Sequence, residues 1–163
     1  MPRGRDNART AELHIALGAV ALGLARTVGT DAADDGGQRG VGANADNGID
    51  LVALSIADTA DYGIMRAIVN DTPGAEKALR AAGFMVSTTR VLGVVVPDTP
   101  GGLSDVLEIF SRGDVSVEYL YSFVRHQGKN ALIMFKVTPV EKAVELLEKA
   151  GIELVTQEQV KKL

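Results

Sequence analysis

Two short polar clusters in the chain have the residue types and spacing to do chemistry. The first is Asp98-Thr99-Pro100-Gly101-Gly102-Leu103. It joins an apolar run, Val91–Val96, to a stretch in which Leu103, Val106, Leu107 and Phe110 recur at helical spacing. A helix start offers unbonded N–H groups and the positive end of the backbone dipole, and both favour an anion such as a carboxylate. Glycines let a ligand approach the backbone closely. Asp98 adds a negative charge that could pair with an ammonium group. An α-amino acid carries both charges, so one loop can satisfy both. The plainer reading is that Pro100 and Gly101 make a turn and Asp98 caps the helix. The second cluster is Asp58, Thr59 and Asp61, within the run DTADYG. There, an Asx-type turn in a hairpin is the plain explanation.

Other chemistry is poorly supplied. The chain has no cysteine, which excludes disulfides, Cys-ligated zinc, iron–sulfur clusters and a thiol nucleophile. Its two histidines, His14 and His126, do not make a metal site. No phosphate-cradling loop of the Walker or Rossmann type is present. Without a nucleophile, base or cofactor in mutual reach, the expectation is a protein that is not an enzyme and carries no cofactor and no metal. A net charge of −4 argues against a nucleic-acid partner, which needs clustered positive charge. The strand-like ALIMFKV (131–137) also lacks the charged and aromatic pattern of an RNA-binding sheet. The apolar run Ile15–Ala25 is too short to span a bilayer, which takes roughly 20 residues. With Arg3, Arg5 and Arg9 upstream it loosely resembles a secretory signal peptide. The plainer alternative is a short helix capped by Thr10. No membrane partner is expected.

The elements that must position the two clusters are well patterned beyond residue 48. Ile49–Ala57 and Ile64–Val69 suit two strands around the DTADYG turn. A helix follows over Ala75–Ala82, stopped by Gly83. Phe84–Thr88 and Val91–Val96 are expected as two further strands. After the Asp98 loop come a helix over Leu103–Ser111 and strands over Val115–Val124 and Ala131–Val137. The last helix is Pro139–Ala150, ended by Gly151, and Ile152–Val155 closes the pattern. Tyr119 and Tyr121 read as packing residues. His126, beside Arg125 and Lys129, reads as a solvated turn residue.

The pattern repeats. Ile49 aligns with Val115 at an offset of 66, and Val69 with Val137 and Gly83 with Gly151 at an offset of 68. The second copy has the order βαββαβ. That order folds as a four-stranded antiparallel sheet with both helices on one face, the ferredoxin-like arrangement of the α+β class. Projected back by 66, the second copy's opening puts a strand at 26–30 and a helix at 37–46. That helix would be GQRGVGANAD, with three glycines, each costing about 1 kcal/mol relative to alanine. The first unit is therefore expected to lack its opening strand and helix. The domain reading has four parts. Residues 1–47 are an atypical, low-complexity or disordered segment, 48–90 a truncated first unit, 91–156 a complete second unit and 157–163 a polar tail. Three accounts of residues 1–47 compete: a disordered or remodelled terminus, cover from the run Leu13–Leu24, and an out-of-frame translation of GC-rich DNA.

The runs LSIADTADYGIMRAIV (54–69), AEKALRAAGF (75–84), VPDTPGGLSDVLEIF (96–110) and VEYLYSFV (117–124) closely resemble small tandem ACT-domain proteins. The resemblance covers about residues 48–156. It implies regulatory modules that bind an amino acid or a related small ligand. The implied site is the Asp98–Leu103 loop together with the interface between units, near Asp58, Thr59 and Asp61. It further implies units paired side by side in a continuous eight-stranded sheet, and a cytoplasmic homodimer or higher homo-oligomer. The competing function is a structural or partner-binding module that mediates oligomerisation without a ligand.

Overall fold

The computed structural model describes residues 24–27, 36–58, 63–123 and 130–160. In chain order the elements are β1 (Leu24–Thr27), α1 (Gly36–Ala45), β2 (Leu51–Asp58), β3 (Gly63–Val69), α2 (Thr72–Ala81) and β4 (Thr89–Pro97). They continue with α3 (Gly102–Arg112), β5 (Ser116–Phe123), β6 (Asn130–Thr138), α4 (Val140–Lys149), β7 (Leu154–Val155) and α5 (Gln157–Val160). Of the helix expected over the run Ile15–Ala25, Leu24 and Ala25 instead open strand β1, and the rest of the run lies outside the described residues, as does His126.

The second unit forms as its patterning predicts. Its strands run in the order β7-β4-β6-β5, all antiparallel, which is the ferredoxin-like order. Val106 and Phe110 of α3 and Val140, Ala143, Val144 and Leu147 of α4 bury against Leu92, Val94, Val96, Ile133, Phe135 and Val137. Phe110 meets Phe135 edge-on at 5.4 Å between ring centres. Truncating a ring buried this deeply costs about 3–5 kcal/mol.

The first unit copies this plan. β2 pairs with β3, β3 lies alongside β1, and β1 pairs with the first part of β4, Leu24 opposite Leu92 and Thr27 opposite Thr89. The copy extends to backbone detail. A bulge between Leu51 and Ala53 in β2 recurs between Val117 and Tyr119 in β5. Gly48 and Asp114 both have positive φ, and so do Gly83 and Gly151.

Three expectations are corrected. The first unit does not lack its opening strand and helix: β1 and α1 stand close to where the repeat projects them. Tertiary contacts override the poor propensity of the glycine-rich stretch. Ala43 packs on the core of Ala67, Val69, Ala75 and Leu79. The Arg39 guanidinium lies 5.3 Å from the centre of the Phe84 ring. Asn44 is buried and donates to the Gly40 carbonyl at 2.9 Å.

Second, Phe84–Thr88 is not a strand of its own. Phe84 and Val86 turn into the core beneath α2, and the Arg80 guanidinium donates to the Val86 carbonyl at 2.7 Å. The ladder starts at Thr89 and runs as one strand to Pro97. Third, the two units are not laid side by side with all helices on one face. Ile68, Val52 and Ala53 of the β2–β3 sheet pack on Val91, Val95, Leu132, Met134 and Val155 of the five-stranded sheet. The helix-free faces meet, α1 and α2 lie outside one sheet, and α3 and α4 lie outside the other. The alternating Ile64-Met65-Arg66-Ala67-Ile68-Val69 sequence has apolar residues on both faces, which is what a strand covered on both sides requires.

Candidate functional site

The Asp98–Leu103 loop leaves the end of β4 and enters α3 within a few residues, and its backbone explains both glycines. Gly101 has φ 97° and serves as the N-cap of α3, a conformation that favours glycine. A Cβ on Gly102 would run into the carbonyl oxygen of Pro97. The Gly102 N–H bonds the Thr99 carbonyl at 3.0 Å, and the Asp105 N–H bonds the Gly101 carbonyl at 2.9 Å. Leu103 is half-buried and packs on the core beneath α3, pinning the loop from below.

Asp98, Thr99 and Pro100 are exposed. No side chain caps α3, so the Asp98 carboxylate is not used as the helix cap. Among the described residues nothing bonds or pairs with Asp98. Helix geometry leaves the Leu103 and Ser104 N–H groups without an intrahelical acceptor. Asp98 precedes the Gly101 cap by three residues, and Asp105 lies in the first turn of α3. The loop and helix start thus supply unbonded N–H donors and carboxylates within one short segment. An anion fits the donors, and a cation fits the carboxylates.

The tetrapeptide Asp-Thr-Pro-Gly occurs twice, at 71–74 and at 98–101. At the first site Asp71 is the N-cap of α2 and accepts from the Gly74 N–H at 3.3 Å. The same four residues therefore cap one helix and leave the acid free at the other.

Of the second cluster, only Asp58 falls among the described residues. Asp58 ends β2 opposite Gly63, on the two-stranded sheet of the first unit. Thr59 and Asp61 lie outside the described residues.

A shallow groove of about 240 Å³ lies between the end of α1 and α2, lined by Asn47, Ile49, Asp71, Gly74, Lys77, Ala78 and Ala81. Its one cation, Lys77, is exposed, and Asp71 is committed to its cap. Among the described residues no cluster of His, Asp or Glu side chains is placed to hold a metal ion. No helix among them is long and apolar enough to cross a membrane.

Sequence reasoning passed over one polar group, Arg66. Its guanidinium carbon stands 4.3 Å from the centre of the Tyr119 ring, across the space between the two sheets. Tyr119 in turn stacks on Tyr121 at 6.5 Å and 20°. The available signal was an arginine within the otherwise apolar strand IMRAIV (64–69).

Comparison with known proteins agrees with this architecture. The crystal structure of protein BT0572 from Bacteroides thetaiotaomicron matches with a TM-score of 0.77 at 30% identity, over 94% of this chain and 99% of that one. The ligand-free regulatory subunit of aspartate kinase from Thermus thermophilus matches with a TM-score of 0.54 at 14% identity, over 81% and 95%. The corresponding subunit from Thermus flavus gives 0.52 at 14% identity, over 82% and 95%. At that identity the likeness is one of fold. No curated protein sequence matches the chain. The sequence pattern of the ACT domain pair matches residues 39–163, a span that takes in most of α1 and everything after it. The chain belongs to the ACT domain pair family, whose domains are regulatory ligand-binding modules.

Proposed function

We propose that this protein is a regulatory module that binds an α-amino acid at the Asp98–Leu103 loop and works as a cytoplasmic homodimer. The observation that carries the reading is the unspent Asp98. The chain uses an identical tetrapeptide at 71–74 to cap a helix, yet at 98–101 the aspartate stays exposed and caps no helix. A ligand carboxylate would take the Leu103 and Ser104 N–H groups, and its ammonium would face Asp98. Asp58, Thr59 and Asp61 remain candidates for the far side of such a ligand at an interface between units. The likeness in fold to aspartate kinase regulatory subunits supports a regulatory role. The cytoplasmic setting is taken from the family.

The homodimer is supported by the two edge strands. β2 and β5 each end a sheet, and they carry the exposed Leu54 (44%) and Leu120 (38%) at positions one repeat apart. An open edge with an uncovered leucine is a template for a second copy.

A specific observation favours a second reading, a module that assembles without a ligand. Both loop glycines are required by backbone geometry alone. Thermal shift against the proteinogenic amino acids separates the two. A ligand present at 100 times its dissociation constant stabilises by about 2.7 kcal/mol. A clear rise in melting temperature with one or a few amino acids, lost in Asp98→Ala, is expected. No shift with any amino acid would sink the ligand reading and leave the assembly module.

A further inference from the structure

The groove between α1 and α2 has a counterpart in the second unit, and there it is closed. By the repeat offset of 68, Ala78 of α2 stands where α4 carries Leu146. By the offset of 66, Asn47 stands where the second unit has Gly113, and Ala43 where it has Ile109. Leu146 lies so close over Gly113 that a Cβ on the glycine would overlap its methyl group. Together with Ile109 it packs on the core beneath. A leucine thus fills the gap between α3 and α4.

In the first unit the same gap stays open to solvent. Ala78 offers only a methyl group, and it forms the floor with Ile49, both of them buried. Asn47 does not replace the lost volume, because its amide turns back and donates to the Ala43 carbonyl at 2.8 Å. Gly74 has no room for a side chain, since a Cβ there would run into the Asp71 carboxylate. The rim differs as well. On α4, Glu145 is paired with Lys149 one turn later, at 3.6 Å. The matching residues of α2 are Lys77 and Ala81, and both line the groove. Glu76 is held by Arg80 at 2.8 Å, and Asp71 is spent on its cap. Among the described residues no acid pairs with Lys77. The groove presents a cation above an apolar floor.

We infer that this groove is a second small-molecule site, which takes a short branched aliphatic carboxylate. The branched end occupies the place that Leu146 fills in the second unit, and the carboxylate meets the Lys77 ammonium. Covering the Ala78 and Ile49 floor with an apolar group removes it from water, and that drives binding. The solvated ion pair adds little affinity and fixes the orientation. The volume of about 240 Å³ sets the size of the ligand. It falls below the roughly 300–1,000 Å³ of pockets that hold drug-sized molecules. A free amino acid fits less well, because its ammonium would find Asp71 already committed to the helix. This site is separate from the Asp98 loop and does not rest on it. The groove belongs to the helices of the first unit, and the loop opens α3 of the second.

The test is a titration of the intact protein with 4-methylpentanoate, and separately with acetate and with L-leucine at matched ionic strength. It is read at the methyl NMR resonances of Ala78 and Ala81, assigned by their loss in Ala78→Leu and Ala81→Ser. 4-Methylpentanoate is expected to move both resonances saturably. Acetate lacks the branch and leucine adds the ammonium, and neither should do so. Ala78→Leu rebuilds the packing of the second unit and should abolish the response at Ala81 with the fold intact. Lys77→Gln should weaken binding by about threefold, the worth of a solvated ion pair. Asp98→Ala should leave it unchanged, even where that variant abolishes amino-acid binding at the loop. No saturable shift, an equal response to acetate or leucine, or a response that survives Ala78→Leu would each overturn the site. So would full binding in Lys77→Gln or loss in Asp98→Ala. The groove would then be a packing defect of the first unit. Should Ala78→Leu not fold, the Ala81 resonance and Lys77→Gln still decide.

Discussion

Asp71 and Asp98 each begin the tetrapeptide Asp-Thr-Pro-Gly, and only Asp71 folds back on the helix that follows it, accepting from the Gly74 N–H at 3.3 Å. At Asp98 the helix start is displaced by three residues, and Gly101 takes the cap. Removing the two acids should therefore have unequal effects. Asp71→Ala loses a side-chain cap and should destabilise by about 1 kcal/mol. Asp98→Ala should change stability by no more than about 0.5 kcal/mol, as for an exposed residue without partners. Urea unfolding of the two variants measures both. Equal losses would mean that Asp98 has a structural duty and is not held free for a ligand.

Gly42 lies within α1 with open space around its missing Cβ. Gly42→Ala should raise stability by roughly 0.5–1 kcal/mol, because alanine costs less entropy to hold in a helix. The unfolding midpoint should move up with no change in slope. A midpoint that falls would show that α1 is packed more tightly at Gly42 than the geometry allows.

Leu54→Glu and Leu120→Glu put a charge on the uncovered side of the two edge strands. Either change should dissociate the dimer without unfolding the protomer, since neither leucine belongs to a core. Sedimentation should show a monomer at concentrations where the parent is a dimer, and circular dichroism should stay unchanged. An undisturbed dimer in both variants would place its interface elsewhere.

Glu118 is the bulged residue of β5, and its carboxylate accepts from the Thr138 hydroxyl at 2.8 Å with the Lys136 ammonium at 3.2 Å. The Thr138 hydrogen bond is the main cause that holds the Glu118 carboxyl below the usual glutamate range; burial opposes it, and the hydrogen bond and charge of Lys136 lower it further. A carboxyl lowered on folding adds stability above its unfolded pKa. It loses that stability as the pH falls through its folded pKa. Thr138→Val removes the main cause. The variant should be slightly less stable than the parent at neutral pH, with the gap narrowing in acid. A gap that stays constant with pH would assign the loss to packing.

The elements were legible in the sequence where the local and the long-range demands agree. The spacing of Leu103, Val106, Leu107 and Phe110 marks the buried face of α3. Gly83 and Gly151 mark the ends of α2 and α4, and both have positive φ there. The repeat was legible enough to project β1 and α1 to within a few residues. It was the propensity argument that misled, because Ala43 packs on the first unit's core, Arg39 lies over the Phe84 ring and Asn44 is buried. The candidate loop was readable as a turn into a helix. That Asp98 is not its cap was not readable, since the same four letters make a cap at Asp71. Arg66 could not be placed at all from its own strand. Its neighbour Tyr119 is 53 residues away and on the opposite sheet.

β4 has no joint. Its first residues pair with β1 and finish the first unit, and its later residues pair with β6 and β7 and begin the second. Two modules that share a beam in this way cannot melt one at a time, because freeing either exposes the ladder of the other. Calorimetry should record a single transition for the pair. A tug on the Asp98 loop, at the tip of that beam, would be felt at the root, where Arg90 holds Glu141 at 2.8 Å.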